Sequence, residues 1–189
     1  MTQAWQVLLR RVLLERAPWI SVWVDRVRLP NGTVIEDYFG LDLPSWVAVF
    51  AVTGNERDAQ VPMVWQYRHG IGQHTLELPA GYIDNGESPL EAARRELREE
   101  VGCTAESFEV LGSYAMLPER SPMMVHVILA RRTRRVGAPQ PEATEELAVR
   151  WLTLAEVRDA WRKGQIIGAA QNAAIARALD VLGRCEDQV

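Results

Sequence analysis

Strand-like patterning dominates the chain up to about residue 80, and a clear helical spacing begins only after residue 88. Trp19 to Leu29 is rich in aromatic and β-branched residues, Pro30-Asn31-Gly32 is a turn, and Thr33 to Leu41 continues as a second strand, which together predict a hairpin. Trp46 to Thr53 and Val61 to Arg68 bracket a polar turn from Gly54 to Gln60 and predict a second hairpin whose strands enter the core. Further strands are expected at Gly112 to Met116 and Met124 to Ala130, around Pro118 to Pro122, and at Leu147 to Leu152. Residues 5 to 16 fit helix and strand equally well.

The helix that starts at Ser88 is marked at both ends. Ser88 and Glu91 form a capping box with Pro89 at the first helical position, and Gly102 stands where a left-handed terminal residue is wanted. Leu90, Ala93, Leu97 and Val101 recur at helical spacing, so one stripe faces a core. Thr153 and Glu156 form a second capping box that opens a helix to about Lys163, and Gly168 to Leu182 reads as an alanine-rich last helix. Strands on both sides of a central helix predict an α/β class fold, an α/β/α sandwich around a mixed sheet.

Composition narrows the class. A chain of 189 residues with 48% hydrophobic and 24% charged content is ordinary for a soluble domain with one sizeable core. The formal charge of -4 argues against nonspecific nucleic-acid binding, and Arg131, Arg132, Arg134 and Arg135 are expected to flank a loop. Cys103 and Cys185 make neither a disulfide framework nor a zinc site, which suits a reducing, cytoplasmic setting. The apolar run from Val7 to Leu14 is interrupted by Arg10 and Arg11 and is too short to span a bilayer, so no membrane partner is expected.

The charged face of the 88–102 helix carries the chemistry. Glu96, Glu99 and Glu100 fall in its last turn, where the helix dipole disfavours negative charge and neighbouring carboxylates repel. Converging carboxylate oxygens are what a hard divalent cation requires. A solvated face in which Arg94, Arg95 and Arg98 offset the glutamates would also account for such a charge run. Spacing decides between them: Gly81, five residues, Glu87, seven residues, then Arg95-Glu96-Leu97-Arg98-Glu99-Glu100-Val101-Gly102. Matching every fixed position by chance has a probability on the order of one in a billion per start position. The segment Gly81 to Cys103 resembles the Nudix box, with Cys103 at a position usually held by Ile, Leu or Val. QYRHGIGQHTLELPAG before it and PERSPMMVHVILA after it are similar to the ADP-ribose and nucleotide-sugar pyrophosphatase branch.

That resemblance implies a set of roles. Glu96 and Glu100 would be the main ligands of magnesium, or of manganese, with Glu99 bridging or one shell out and the Ala80 carbonyl completing the site. Arg95 would orient the glutamates, while Glu87, Gly81 and Gly102 would shape the motif. The base would be a glutamate on the loop before the last core strand, where Glu142, Glu145 and Glu146 stand; aligning Val149 to Leu152 favours Glu145, with Glu146 second. Arg68 would pair with a phosphate, with Arg120 a second candidate. Pro118 would mark ADP-sugar hydrolysis, Trp19 would stack the base, and Glu77 would bind a terminal ribose or stabilise its loop. Residues 1–42 would form a strand extension pairing two subunits into a homodimer, and residues 43–189 the catalytic domain.

Three functions follow as expectations. The first is a magnesium-dependent hydrolase that splits ADP-ribose or a related ADP-sugar to AMP and a sugar phosphate. The second keeps the chemistry but takes another nucleotide sugar such as GDP-mannose, because Glu119-Arg120-Ser121 replaces a usual glycine-containing stretch. The third is a non-catalytic ligand sensor, against which the intact box argues.

Overall fold

The computed structural model describes residues 3–54, 59–141, 144 and 146–186, with only the main chain at 184–186. The chain forms two compact units, residues 1–45 with 115–124, and residues 46–114 with 125–189.

The first unit is an antiparallel meander of β1 (Gln6–Arg16), β2 (Ile20–Arg28) and β3 (Val34–Asp42) in the order β1-β2-β3. The ambiguous 5–16 stretch is therefore strand. Its pattern does not single out a strand because register shifts fall between Val7 and Leu9 and between Val12 and Leu14, and each bulge breaks the alternation of faces. The hairpin expected at Pro30-Asn31-Gly32 is present; Asn31 Oδ1 accepts from the Thr33 N–H at 3.0 Å, and Gly32 takes φ 86°. Arg10 lies directly opposite Asp25 and donates to its carboxylate from Nε at 2.8 Å and from Nη2 at 2.7 Å. Asp25 is only 4% exposed, so this pair satisfies a charge that would otherwise be costly to bury. Trp23 lies against Gly40, where an added Cβ would stand 2.5 Å from the indole.

Residues 115–124 are stitched to this meander. The Leu41 N–H donates to the Arg120 carbonyl at 2.9 Å, Tyr38 Oη donates to the Glu119 carbonyl, and Arg120 Nη1 donates to the Phe39 carbonyl at 2.9 Å. The Arg120 guanidinium also covers the Tyr38 ring at 4.6 Å.

The second unit contains β4 (Trp46–Thr53), β5 (Gln60–Arg68), β6 (Gln73–Glu77), β7 (Ala80–Tyr82), α1 (Pro89–Val101), β8 (Cys103–Thr104), β9 (Ser107–Ala115), β10 (Met124–Arg135), β11 (Leu147–Thr153), α2 (Leu154–Arg162) and α3 (Ala169–Glu186). One sheet runs β7-β4-β10-β8 with β9 on β10, and another runs β11-β5-β6. The expected hairpin of β4 with β5 does not form among the described residues. β4 runs parallel to β10 and antiparallel to β7, whereas β5 pairs with β6 and β11. The continuous apolar runs of β4 and β10 explain this, since strands buried on both faces suit an interior parallel pair better than a surface hairpin. Val47, Val49 and Ala51 pack with Ile128, Ala130 and the α1 stripe Ala92, Ala93, Leu97 and Val101. Cys103 is fully buried in the same cluster, as a small hydrophobe.

The arginine run expected beside a loop is instead the end of β10. A register shift between Arg131 and Thr133, with Arg132 at φ 54°, carries the strand past that point to Arg135. The short strands β6, β7 and β8 were not anticipated. Both capping boxes are present as expected, at Ser88 with Glu91 and at Thr153 with Glu156.

Candidate active site

Helix α1 supplies the acidic side chains, and β7 supplies the backbone they close upon. Glu96 and Glu100 are one turn apart and are 6% and 2% exposed. One Glu100 oxygen accepts the Ala80 N–H at 2.9 Å. Glu96 lies against Gly81 so closely that an added Cβ would come within 1.9 Å of Oε1. An alanine at this place would force the carboxylate it faces, or the strand, to shift; the backbone dihedrals of Gly81 are not the reason.

Arg95 ties the motif together. Its Nε and Nη2 each donate to Glu87 at 3.0 Å, Nη1 donates to Glu96 Oε1 at 2.6 Å and Glu99 Oε2 at 3.2 Å, and Nη2 donates to the Tyr82 carbonyl at 2.7 Å. These bonds, led by those to Glu87, raise the guanidinium pKa well above its ordinary value. Reciprocally, Arg95 and then the Asp84 N–H hold the Glu87 carboxyl below the usual carboxylate range, against a smaller opposing effect of burial. Glu87 therefore sits where it braces Arg95. Gly102 takes φ 65° at the end of α1, and its N–H caps the Arg98 and Leu97 carbonyls.

A hard cation fits this donor set. Two buried carboxylates stand one helical turn apart, and one positively charged side chain is shared among four acids. Among the described residues no three His, Cys, Asp or Glu side chains close into a ready cage.

A second polar cluster lies on β5 and β6. Arg68 donates to Glu77 from Nη2 at 2.5 Å and from Nε at 3.0 and 3.2 Å, Thr75 Oγ1 donates to Glu77 Oε1, and Gln66 Nε2 lies 3.4 Å from Oε2. Burial pushes the Glu77 carboxyl up, but Arg68 and Thr75 outweigh it and hold the group below the ordinary range. The bond to Glu77 raises the Arg68 pKa, and the charge of Glu100 adds to the effect, so Arg68 feels the acidic face of α1. Thr75 and Gln66 escaped the sequence reading; their signal is alternation, since both share the strand face of Arg68 and Glu77. Tyr82, whose carbonyl receives Arg95, was also missed.

The remaining candidates are distributed. Trp19, Pro118 and Arg120 belong to the first unit; Trp19 and Pro118 are exposed, and Arg120 is engaged with Phe39 and Tyr38. Glu146 is exposed just before β11, while Glu145 and Glu142 lie outside the described residues.

Known proteins share both the sequence and the architecture. Residues 44–169 match the NUDIX domain, and residues 5–39 match the nucleoside diphosphate sugar hydrolase N-terminal domain. The chain is 37% identical over 151 residues to the ADP-ribose pyrophosphatase of Mycobacterium tuberculosis, covering 77% of this chain and 69% of that protein. It is 36% identical over 111 residues to the ADP-ribose pyrophosphatase of Bacillus subtilis, covering 59% and 58%. A crystal structure of an ADP compounds hydrolase superposes with a TM-score of 0.80 at 22% identity, over 98% of this chain and 97% of that one, and so shares the fold. With the box glutamates, arginine and glycines gathered at the end of α1 and the domain match spanning most of the sequence, the chain belongs to the Nudix family.

Proposed function

We propose that the chain is a divalent-cation-dependent pyrophosphatase that hydrolyses the diphosphate linkage of ADP-ribose, or of a related ADP-sugar, to AMP and a sugar phosphate. The observation that carries this reading is the buried Glu96 and Glu100 pair closing on Ala80 and Gly81. The ADP-ribose pyrophosphatases to which it is similar support the substrate class.

Magnesium or manganese would be held by Glu96 and Glu100, with Glu99 and the Ala80 carbonyl contributing. When bound, the cation neutralises phosphate oxygens and acidifies a coordinated water. Arg95 keeps Glu96 and Glu99 oriented through charge-assisted bonds, so the carboxylates need no reorganisation on binding. Arg68 takes a phosphate oxygen, and Glu145, or failing it Glu146, takes a proton from the attacking water. Pro118 and Trp19 bear on sugar and base. The exposed apolar residues of β1, including Val7, Leu9, Val12, Leu13 and Leu14, support assembly as a homodimer. Among the described residues no helix is long and apolar enough to cross a membrane, and a cytoplasmic setting is proposed from the two cysteines of the sequence, too few for a disulfide framework.

A panel of ADP-, GDP- and UDP-sugars with magnesium, read as released nucleoside monophosphate, tests the reading. ADP-ribose should lead the panel; preferential GDP-mannose turnover would move the substrate assignment, and no turnover of any member would sink the enzymatic one. Glu145→Gln should lower kcat by about 10² to 10⁴. If Glu145→Gln keeps wild-type turnover while Glu146→Gln or Glu99→Gln loses it, the base is assigned to the wrong residue.

A further inference from the structure

The Arg68 cluster has an arrangement that the box does not require. Glu77 is 7% exposed at the end of β6, where an ionised carboxylate is costly unless its lone pairs are filled. They are filled: Arg68 approaches with Nε and Nη2, Thr75 with its hydroxyl, and Gln66 with its amide. A carboxylate offers about four acceptor sites, so little capacity remains for a sugar hydroxyl. The Arg68 side chain, by contrast, is 44% exposed. Its Nη1 has no hydrogen-bond partner among the described residues, although Nε and Nη2 are committed to Glu77. A guanidinium held along one edge by a buried carboxylate keeps its plane and presents its other edge in a fixed direction.

We propose that Glu77 is a positioning residue, which, with Thr75 and Gln66 beside it, locks the Arg68 guanidinium so that its Nη1 edge meets an oxygen of the substrate diphosphate. Glu77 itself touches no substrate. This rests on the pyrophosphatase reading above and deepens it, since it replaces direct ribose recognition by Glu77 with action through Arg68.

A double-mutant cycle tests this, with ADP-ribose as substrate at saturating magnesium. Glu77→Gln should raise KM about tenfold and leave kcat within about threefold, as should Arg68→Ala, because both remove binding in ground and transition states alike. The double variant should be no worse than Arg68→Ala alone. Multiplying effects would mean that Glu77 contacts substrate independently and would overturn the proposal, as would an unchanged KM in Glu77→Gln. Should Glu77→Gln fail to fold, Thr75→Val decides: a smaller KM increase with kcat retained supports the lock, and an unchanged KM refutes it. A wild-type chain inactive on every diphosphate substrate would instead sink the reading of function, a result distinct from active wild type with an indifferent Glu77→Gln.

Discussion

Gly81 shows how strictly single positions are fixed at the acidic centre. An alanine there would drive its Cβ to within 1.9 Å of Glu96 Oε1, so either the carboxylate or β7 must shift. Gly81→Ala should therefore lower kcat by at least about tenfold and raise the magnesium concentration for half-maximal rate, with the fold retained by circular dichroism. Carboxylate titration gives a second expectation. Asp25 is held below the ordinary carboxylate range by Arg10, and Glu77 by Arg68 and Thr75 after burial is overcome. A depressed folded-state pKa contributes stability that is present above the unfolded value, about 4, and is lost as pH falls through the folded value. Thermal melts should thus show a steep loss of stability below about pH 4, and the gap between wild type and Asp25→Asn should narrow over the same window. An unchanged gap would mean that the ion pair is not what Asp25 contributes.

Among the elements, α1 was legible in sequence from end to end because its signals are local. Ser88 and Glu91 exchange bonds across one turn, and Gly102 closes the helix at φ 65°. Ser88→Ala should cost about 1 kcal/mol in urea denaturation. Gly102→Ala should cost more, since the left-handed conformation is strained for alanine and its Cβ would lie 2.4 Å from the Gly137 carbonyl. Equal losses would show that the cap does not depend on that packing. The strands were less legible. β4 and β5 were found nearly to the residue, but their pairing was not, because the choice of partner belongs to Met124–Arg135 and to Leu147–Thr153, far along the chain. β7 has only three residues and no period to read, yet it carries Ala80 and Gly81 to the glutamates. β1 hid behind its two bulges.

At the scale of the whole molecule, β1 leaves one edge of its sheet unpaired among the described residues and exposes Val7, Leu9, Val12, Leu13 and Leu14. An exposed apolar edge strand is a liability unless something covers it, which makes a second copy the expected occupant for a homodimer. Sedimentation velocity should show a dimer at micromolar concentration, and Leu9→Glu with Leu13→Glu should shift it to monomer; a wild-type monomer would remove the dimer from the proposal. Family, fold class and the acidic cluster on α1 were determined by the sequence itself, because caps and a 3.6-residue repeat bring Arg95, Glu96, Glu99 and Glu100 to the last turns of one helix without help from distant residues. Tertiary structure alone decided that Glu96 meets Gly81, that Glu100 receives the Ala80 N–H, and that Glu77 turns to Arg68. Those contacts join separate elements, and strand pairing and backbone approach, to which residue type is a poor guide, fix their geometry.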